Sequence, residues 1–208
     1  MTTEPQAFPP NEASAPGKRA AQGRATRDHL VEVATQLFAE QGYEDTSIED
    51  VLAATGVSRG ALYHHFAGKE ALFEAALEQV ETRVMTGLEG LLAEAPTSVH
   101  ALNAAALGWI EAAGDPAISR IMLIDAPSVL GWERWRLAGG QALGAMRALL
   151  QGVAEEGHLA PTLINPYAHM LLAALDELAL MIAQAQDPAA AMAESRAAIE
   201  ELLRRLTA

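Results

Sequence analysis

The sequence predicts an all-α protein, and three observations carry that prediction. Apolar residues recur at 3.6-residue spacing through long stretches, as in Leu72, Phe73, Ala76, Leu77, Val80 and Val84. Such stretches are punctuated by glycine and proline, at Gly42, Gly56, Gly114-Asp115-Pro116, Ala126-Pro127 and Asp187-Pro188. Half of the 208 residues are apolar, enough to fill real cores.

In chain order, residues 1–17 contain Pro5, Pro9, Pro10 and Pro16 among polar residues and are expected to form a flexible tail. Residues 26–41 place Leu30, Val33, Ala34, Leu37 and Phe38 on one helical face, with Gly42 after the last turn. Thr46 precedes Glu49 by three residues, which is capping-box spacing, so a helix is expected to start there. It carries Ile48, Val51 and Leu52 on one face and ends at Thr55-Gly56, where glycine can adopt the left-handed conformation. Val57 plugs the turn, and Ser58 is placed to cap a second short helix presenting Arg59, Ala61, Tyr63 and His64. Phe66 follows Leu62 at i+4 and belongs to the inner face of that helix. A long helix is predicted from Lys69 to about residue 92, its apolar stripe continuing through Leu88 and Leu91.

Beyond it, helices are predicted near residues 98–113, 116–124, 132–156, 165–186 and 189–206. Pro116, Pro166 and Pro188 each fit a first helical turn, where the missing N–H is not needed. The penultimate helix carries the stripe Leu171, Leu172, Leu175, Leu178, Ala179 and Ile182, and the last carries Met192, Ile199, Leu203 and Leu206. These stripes suit either pairing with a second copy or an intrachain core.

Two short helices joined by a glycine turn can set the second into the major groove of DNA, the alternative being an ordinary helical hairpin within a core. The net charge of −13 opposes DNA binding, but the charge is unevenly spread. Residues 71–208 carry 17 acidic against 8 basic side chains, whereas residues 17–30 carry Lys18, Arg19, Arg24 and Arg27 against Asp28 alone. With a screening length of about 8 Å at physiological salt, local bases outweigh distant acids, and binding should be strongly salt-dependent. Arg59 has the donor geometry either to fork onto guanine O6 and N7 or to grip a phosphate, and the methyl of Ala61 suits a thymine. The basic run from Lys18 to Arg24 reads equally as an arm for a minor groove or as a solvated stretch.

Residues 27–73 resemble the DNA-binding domain of the TetR family of bacterial transcription regulators. The resemblance rests on Leu37-Phe38, Gly42-Tyr43, Thr46-Ser47, Asp50-Val51, Gly56-Val57-Ser58, Gly60, Leu62-Tyr63-His64-His65-Phe66, Lys69-Glu70 and Leu72-Phe73. Leu52 and Gly68 depart from it, standing where alanine and a serine or asparagine cap are common in the family. The resemblance implies an N-terminal three-helix DNA-binding domain with a helix-turn-helix, followed by a C-terminal helical domain for ligand binding and dimerisation. The expected bounds are a tail at 1–17, a head with its basic arm at 18–68, and a body at 69–208. Tyr63 and His64 resemble the family's backbone-contacting pair, and Thr46, Ser58 and Lys69 its further phosphate anchors, with Arg24, Arg27, Arg59, Gly60 and Ala61 completing the expected DNA contacts.

The same resemblance implies a homodimer on a nearly palindromic double-stranded operator, most often repressing, and released by a small-molecule effector. For that effector the large, adaptable side chains Trp109, Met122, Trp132, Trp135, Met146, Tyr167 and Met170 are candidates, and an apolar or aromatic compound would suit them. Residues 125–136 resemble a segment found in a subclass of these C-terminal domains. The same side chains can also be plain core.

Other classes receive little support. No stretch of 18 or more apolar residues and no secretory leader pattern is visible, so no membrane span is expected and the cytoplasm is the expected location. Cysteine is absent, which removes thiol redox sensing and cysteine-bound zinc. No catalytic signature is present, and neither a cofactor nor a metal is expected, His169 with Asp176-Glu177 being the nearest approach to a metal set. The rival reading is a helical small-molecule-binding or scaffold protein without a DNA function.

Overall fold

The structure, a computed structural model, describes residues 16–131, 133–135 and 140–208. Among these there is no strand. The helices are α1 (Pro16–Gln41), α2 (Ile48–Thr55), α3 (Arg59–His65), α4 (Lys69–Ala93), α5 (Ser98–Ala112), a π-helix (Ile118–Asp125), α6 (Ala126–Leu130), α7 (Gly140–Glu155), a 3-10 turn (Pro161–Leu163), α8 (Ile164–Gln184) and α9 (Pro188–Leu206). The expected tail lies largely outside the described residues, as does Trp132.

α1 begins ten residues earlier than its apolar periodicity indicates, so the basic stretch is helical. Its Ala, Arg and Gln residues favour helix without needing a buried face, and proline is tolerated in a first turn. Leu30, Ala34 and Phe38 of α1 pack with Val51 of α2, Leu62 of α3 and Leu72 and Phe73 of α4 into one core. Phe38, Tyr43 and Phe73 form an aromatic cluster with ring centroids 5.0 to 5.9 Å apart.

The α2 cap differs from expectation by one residue. Ser47, not Thr46, is the N-cap, and its partner is Asp50, not Glu49: the Ser47 hydroxyl accepts the Asp50 N–H, while the Asp50 carboxylate accepts the Ser47 N–H at 2.8 Å. Both pairs have the required spacing, and burial decides between them. Thr46 is 1% exposed and its hydroxyl donates to the Gly42 carbonyl at 2.8 Å, closing the turn after α1. The Gly56 turn is as expected, at φ 68°.

In the body, α5, α7, α8 and α9 enclose a second core around Leu102, Ile110, Leu150, Leu171, Leu175, Ile199 and Leu203. The apolar stripes of α8 and α9 are therefore largely intrachain core: Leu171, Leu175, Ala179 and Ile182 are buried within the chain, as are Ile199 and Leu203. What faces outward instead is Met170 and Met181 on α8 and Leu202 on α9, 62%, 52% and 45% exposed. By length and composition residues 161–184 are apolar enough to cross a membrane, and Ala168, Leu171, Leu175, Ala179 and Ile182 of that stretch are buried against the rest of the chain.

The expected break at Ala126-Pro127 is not a break. The chain passes from the π-helix directly into α6, because the wider register fits the proline. The Ala126 N–H reaches the Ile121 carbonyl, five residues back, so the next donor in that register would serve the Met122 carbonyl. Pro127 has no such donor. The indole N–H of Trp135 takes the Met122 carbonyl instead, at 3.2 Å. The helix expected from 132 to 156 is described as a helical turn at 133–135 and as α7.

Candidate nucleic-acid interface

α3 is short and built with two unlike sides. Ser58 caps it, its hydroxyl accepting the Ala61 N–H at 3.3 Å, and Phe66 ends it with an N–H bonded to the Leu62 carbonyl. Leu62 and Phe66, at 0% and 4% exposure, anchor the inner side. Arg59, Gly60, Tyr63 and His64 are exposed on the outer side, and Ala61 is half-buried. Gly60 has negative φ, and a Cβ built there meets nothing within 4 Å. A helical glycine costs about 1 kcal/mol relative to alanine. The fold obtains nothing for that cost at Gly60.

Arg59 is ion-paired with Glu49 of α2, both side chains remaining well exposed. That pair holds the Glu49 carboxyl below its ordinary range. The other acid of this turn, Asp50, is occupied by Ser47.

Lys69 stands at the start of α4 as expected. Its ammonium lies 4.2 Å from the Tyr43 ring centroid and donates to the Glu44 carbonyl at 3.2 Å, so the cation is fixed beside α3 by a ring and a carbonyl. Burial pushes the Tyr43 phenol up, with Glu70 and Glu44 adding to the shift, which keeps that ring neutral beneath the cation. Arg27 lies 5.4 Å from the Phe66 ring centroid, and Arg24 is exposed one turn earlier. Both lie on α1, so the stretch from Lys18 to Arg24, read from the sequence as an arm or a solvated run, is helical. Thr46 is also corrected: buried and bonded within its turn, it has no surface to offer a phosphate.

Head and body meet at the end of the π-helix. The buried Asp125 carboxylate accepts the Tyr43 backbone N–H at 2.8 Å and the Arg120 Nε–H at 3.3 Å. Arg120 lies against Gly42, where a Cβ would fall 2.0 Å from a guanidinium nitrogen, and Gly42 has φ 83°. Within the body, Arg134 pairs with Glu70 and Glu74 in the first turns of α4. Arg83 of α4 donates to Asp115 at 2.9 Å, just ahead of the π-helix.

The residues nominated for an effector site do not converge on one place. Trp109 and Met122 share a small cluster with Leu123, Ala179 and Leu180, and the Trp109 indole donates to the Leu175 carbonyl at 3.3 Å. Trp135 joins them through the Met122 carbonyl. Met146 is buried in the second core, and Tyr167 lines a separate open groove of about 370 Å³ with Leu163, Leu202 and Arg205. Met170 points to solvent, because α8 buries its Ala168, Leu171 and Leu175 face. His169 lies 3.5 Å from Arg147, a cation, and not within a cluster of acids.

Sequence reasoning missed Asp125 and Arg120, since a carboxylate at a helix end reads as an ordinary cap. It also missed Glu49 as the partner of Arg59. Their separation of ten residues across a tight turn was the available signal.

Comparison with known proteins agrees with this architecture. Residues 30–76 match the family model described as bacterial regulatory proteins, tetR family, and residues 99–206 match the Tetracyclin repressor-like C-terminal domain. The chain is 40% identical over 63 residues to the HTH-type transcriptional regulator AcrR of Shigella flexneri, covering 30% of this chain and 29% of that protein. It is 36% identical over 69 residues to the HTH-type transcriptional repressor DhaR of a Mycobacterium species, covering 33% of this chain and 35% of that protein. These matches thus span about a third of each curated relative. A TetR-family regulator from Pectobacterium atrosepticum superimposes with a TM-score of 0.77 and 32% identity, over 90% of this chain and 96% of that one. One from Chloroflexus aurantiacus shares the fold, with a TM-score of 0.73 at 24% identity over 88% and 96% of the two chains. On its helix-turn-helix, its helical body and these matches, the chain belongs to the TetR family of bacterial transcriptional regulators.

Proposed function

We propose that this chain is a cytoplasmic repressor that binds a nearly palindromic operator as a homodimer and leaves it when a small effector binds the body. The reading divides the chain into a head at 18–68 and a body at 69–208. The observation that carries it is the two-sided α3: Leu62 and Phe66 fix its inner side, while Arg59, Gly60, Tyr63 and His64 stand exposed with Lys69 beside them. Helix N-termini in such motifs approach base edges, and flanking donors hold phosphates. Arg24 and Arg27, held on the helix α1, suit the duplex backbone better than a minor groove.

Dimerisation is supported by the outward Met170, Met181 and Leu202, large apolar side chains that a lone chain would not benefit from exposing together. The repressor role is supported by the mycobacterial relative, which is a transcriptional repressor by name. The effector reading is supported by the grouping of Trp109, Met122 and Trp135 next to the π-helix, whose other end holds Tyr43. An effector acts by favouring a form in which the two α3 helices are wrongly spaced. A hundredfold loss of affinity needs about 2.7 kcal/mol of such differential binding.

Selection of bound fragments from a random duplex pool tests the reading. Two inverted half-sites with centres about 34–36 Å apart are expected. Recovery of a single asymmetric site would remove the dimer, and recovery of no motif at all would remove sequence-specific operator binding.

A further inference from the structure

Glu49 of α2 and Arg59 of α3 form an ion pair across the helix-turn-helix at its exposed edge, and neither side chain contributes to the core. An ion pair this exposed adds little to stability, so the fold does not explain it. The capping box of its helix belongs to Ser47 and Asp50, and beyond its own backbone N–H in the first turn the carboxylate of Glu49 has Arg59 as its partner. Its carboxylate is therefore an acid placed where DNA must approach.

This placement discriminates between the two uses of Arg59. A phosphate clamp works by net positive charge, and a carboxylate on the guanidinium both cancels that charge and repels the phosphate. A fork on guanine works by direction: two N–H groups must point at O6 and N7 together. Glu49 Oε1 occupies one hydrogen of one Nη. Guanidinium has five N–H groups along two usable edges, and whichever hydrogen of that nitrogen is occupied, the other edge keeps both of its donors. The acid thus fixes the long side chain while leaving a complete fork free.

We propose that Glu49 is a specificity-determining residue, which orients Arg59 to read a guanine in each half-site. The proposal rests on the DNA-binding reading above and deepens it. Glu49 acts through Arg59, so it is a positioning residue, and its removal changes selectivity more than affinity.

The test is selection from a random duplex pool by the full chain and by the variants Arg59→Ala, Glu49→Ala, Glu49→Gln and the Glu49→Ala/Arg59→Ala pair. Thermal melts verify that each variant is folded. Wild type should show a guanine preference that Arg59→Ala loses, a change on the order of 10- to 100-fold at one base pair. Glu49→Ala should weaken the preference at that same pair, and the double variant should match Arg59→Ala alone. Glu49→Gln, which keeps an amide oxygen for the guanidinium, should retain most of it. A Glu49→Ala motif identical to the wild-type motif would overturn the proposal, as would uniform loss of affinity in Arg59→Ala. Loss in Glu49→Gln as complete as in Glu49→Ala would also overturn positioning, leaving charge alone. If wild type enriches no motif, it is the operator reading that fails, a result distinct from all of these.

Discussion

The Asp125 carboxylate accepts the backbone N–H of Tyr43 at 2.8 Å, bridging 82 residues of sequence and joining the π-helix of the body to the turn after α1. The Tyr43 ring in turn lies beneath the Lys69 ammonium. A short line of contacts therefore runs from the π-helix through Tyr43 to the cation at the start of α4. Asp125→Ala should strand the Tyr43 N–H and the Arg120 guanidinium and destabilise the chain by about 1–3 kcal/mol. Asp125→Asn, which keeps an acceptor, should lose less. Urea unfolding checks the order of the two.

Gly42 makes the same junction sensitive from the other side. Its φ of 83° disfavours any side chain, and a Cβ would collide with Arg120. Gly42→Ala should cost at least about 1–2 kcal/mol from the left-handed backbone alone. Adding Arg120→Ala should recover the collision but not the backbone part, which a double-mutant cycle in unfolding free energy will separate.

Gly60 should behave in the opposite way. With open space around its Cα and negative φ, Gly60→Ala should leave the fold unchanged or more stable by up to about 1 kcal/mol. A fall in duplex affinity in the same variant would then report close approach of the DNA backbone. Thermal melts and anisotropy titrations on one preparation make the comparison.

Lys69→Ala should lower duplex affinity and reduce the slope of log K against log salt by about one, as expected for one lost phosphate contact. Lys69→Arg should keep the slope. An unaltered slope in the alanine variant would place Lys69 outside the footprint, its role confined to the Tyr43 ring.

Asp176 on α8 is lifted by burial to about 6. A carboxyl whose folded value is raised binds its proton more tightly in the native state, so its contribution is favourable at low pH and lost as pH rises. Between about pH 4 and pH 6 the wild type should lose stability on this account as pH increases. Asp176→Asn should stabilise the chain at pH 8 and make little difference at pH 3, as measured by melting temperature.

The legibility of these features in the sequence followed their locality. The α2–α3 turn was readable because its determinants lie within a few residues: Gly56 for the left-handed turn, Ser58 for the cap, Leu62 and Phe66 for the inner face. The cap of α2 was misplaced because Thr46 and Ser47 offer the same chemistry, and only tertiary burial separates them. The α8 and α9 stripes showed that something packs there, but periodicity cannot tell an intrachain partner from a second copy. The helix expected near 116–124 was readable, but its π register was not, since nothing local signals that the Met122 carbonyl takes its donor from Trp135, beyond Pro127. Asp125 and Arg120 were unreadable for the same reason, their partners being a backbone amide and a glycine in the other domain.

The exposed side of α3 is the surface proposed to hold DNA. Anisotropy of a labelled duplex pool, titrated at low and at physiological ionic strength with the wild type and with a triple Arg59→Ala, Tyr63→Ala, His64→Ala variant, tests it directly. Wild-type binding should weaken steeply with salt, and the folded variant should bind poorly at both ionic strengths. Wild type that ignores every duplex at low salt, or a variant that binds as wild type does, would contradict it.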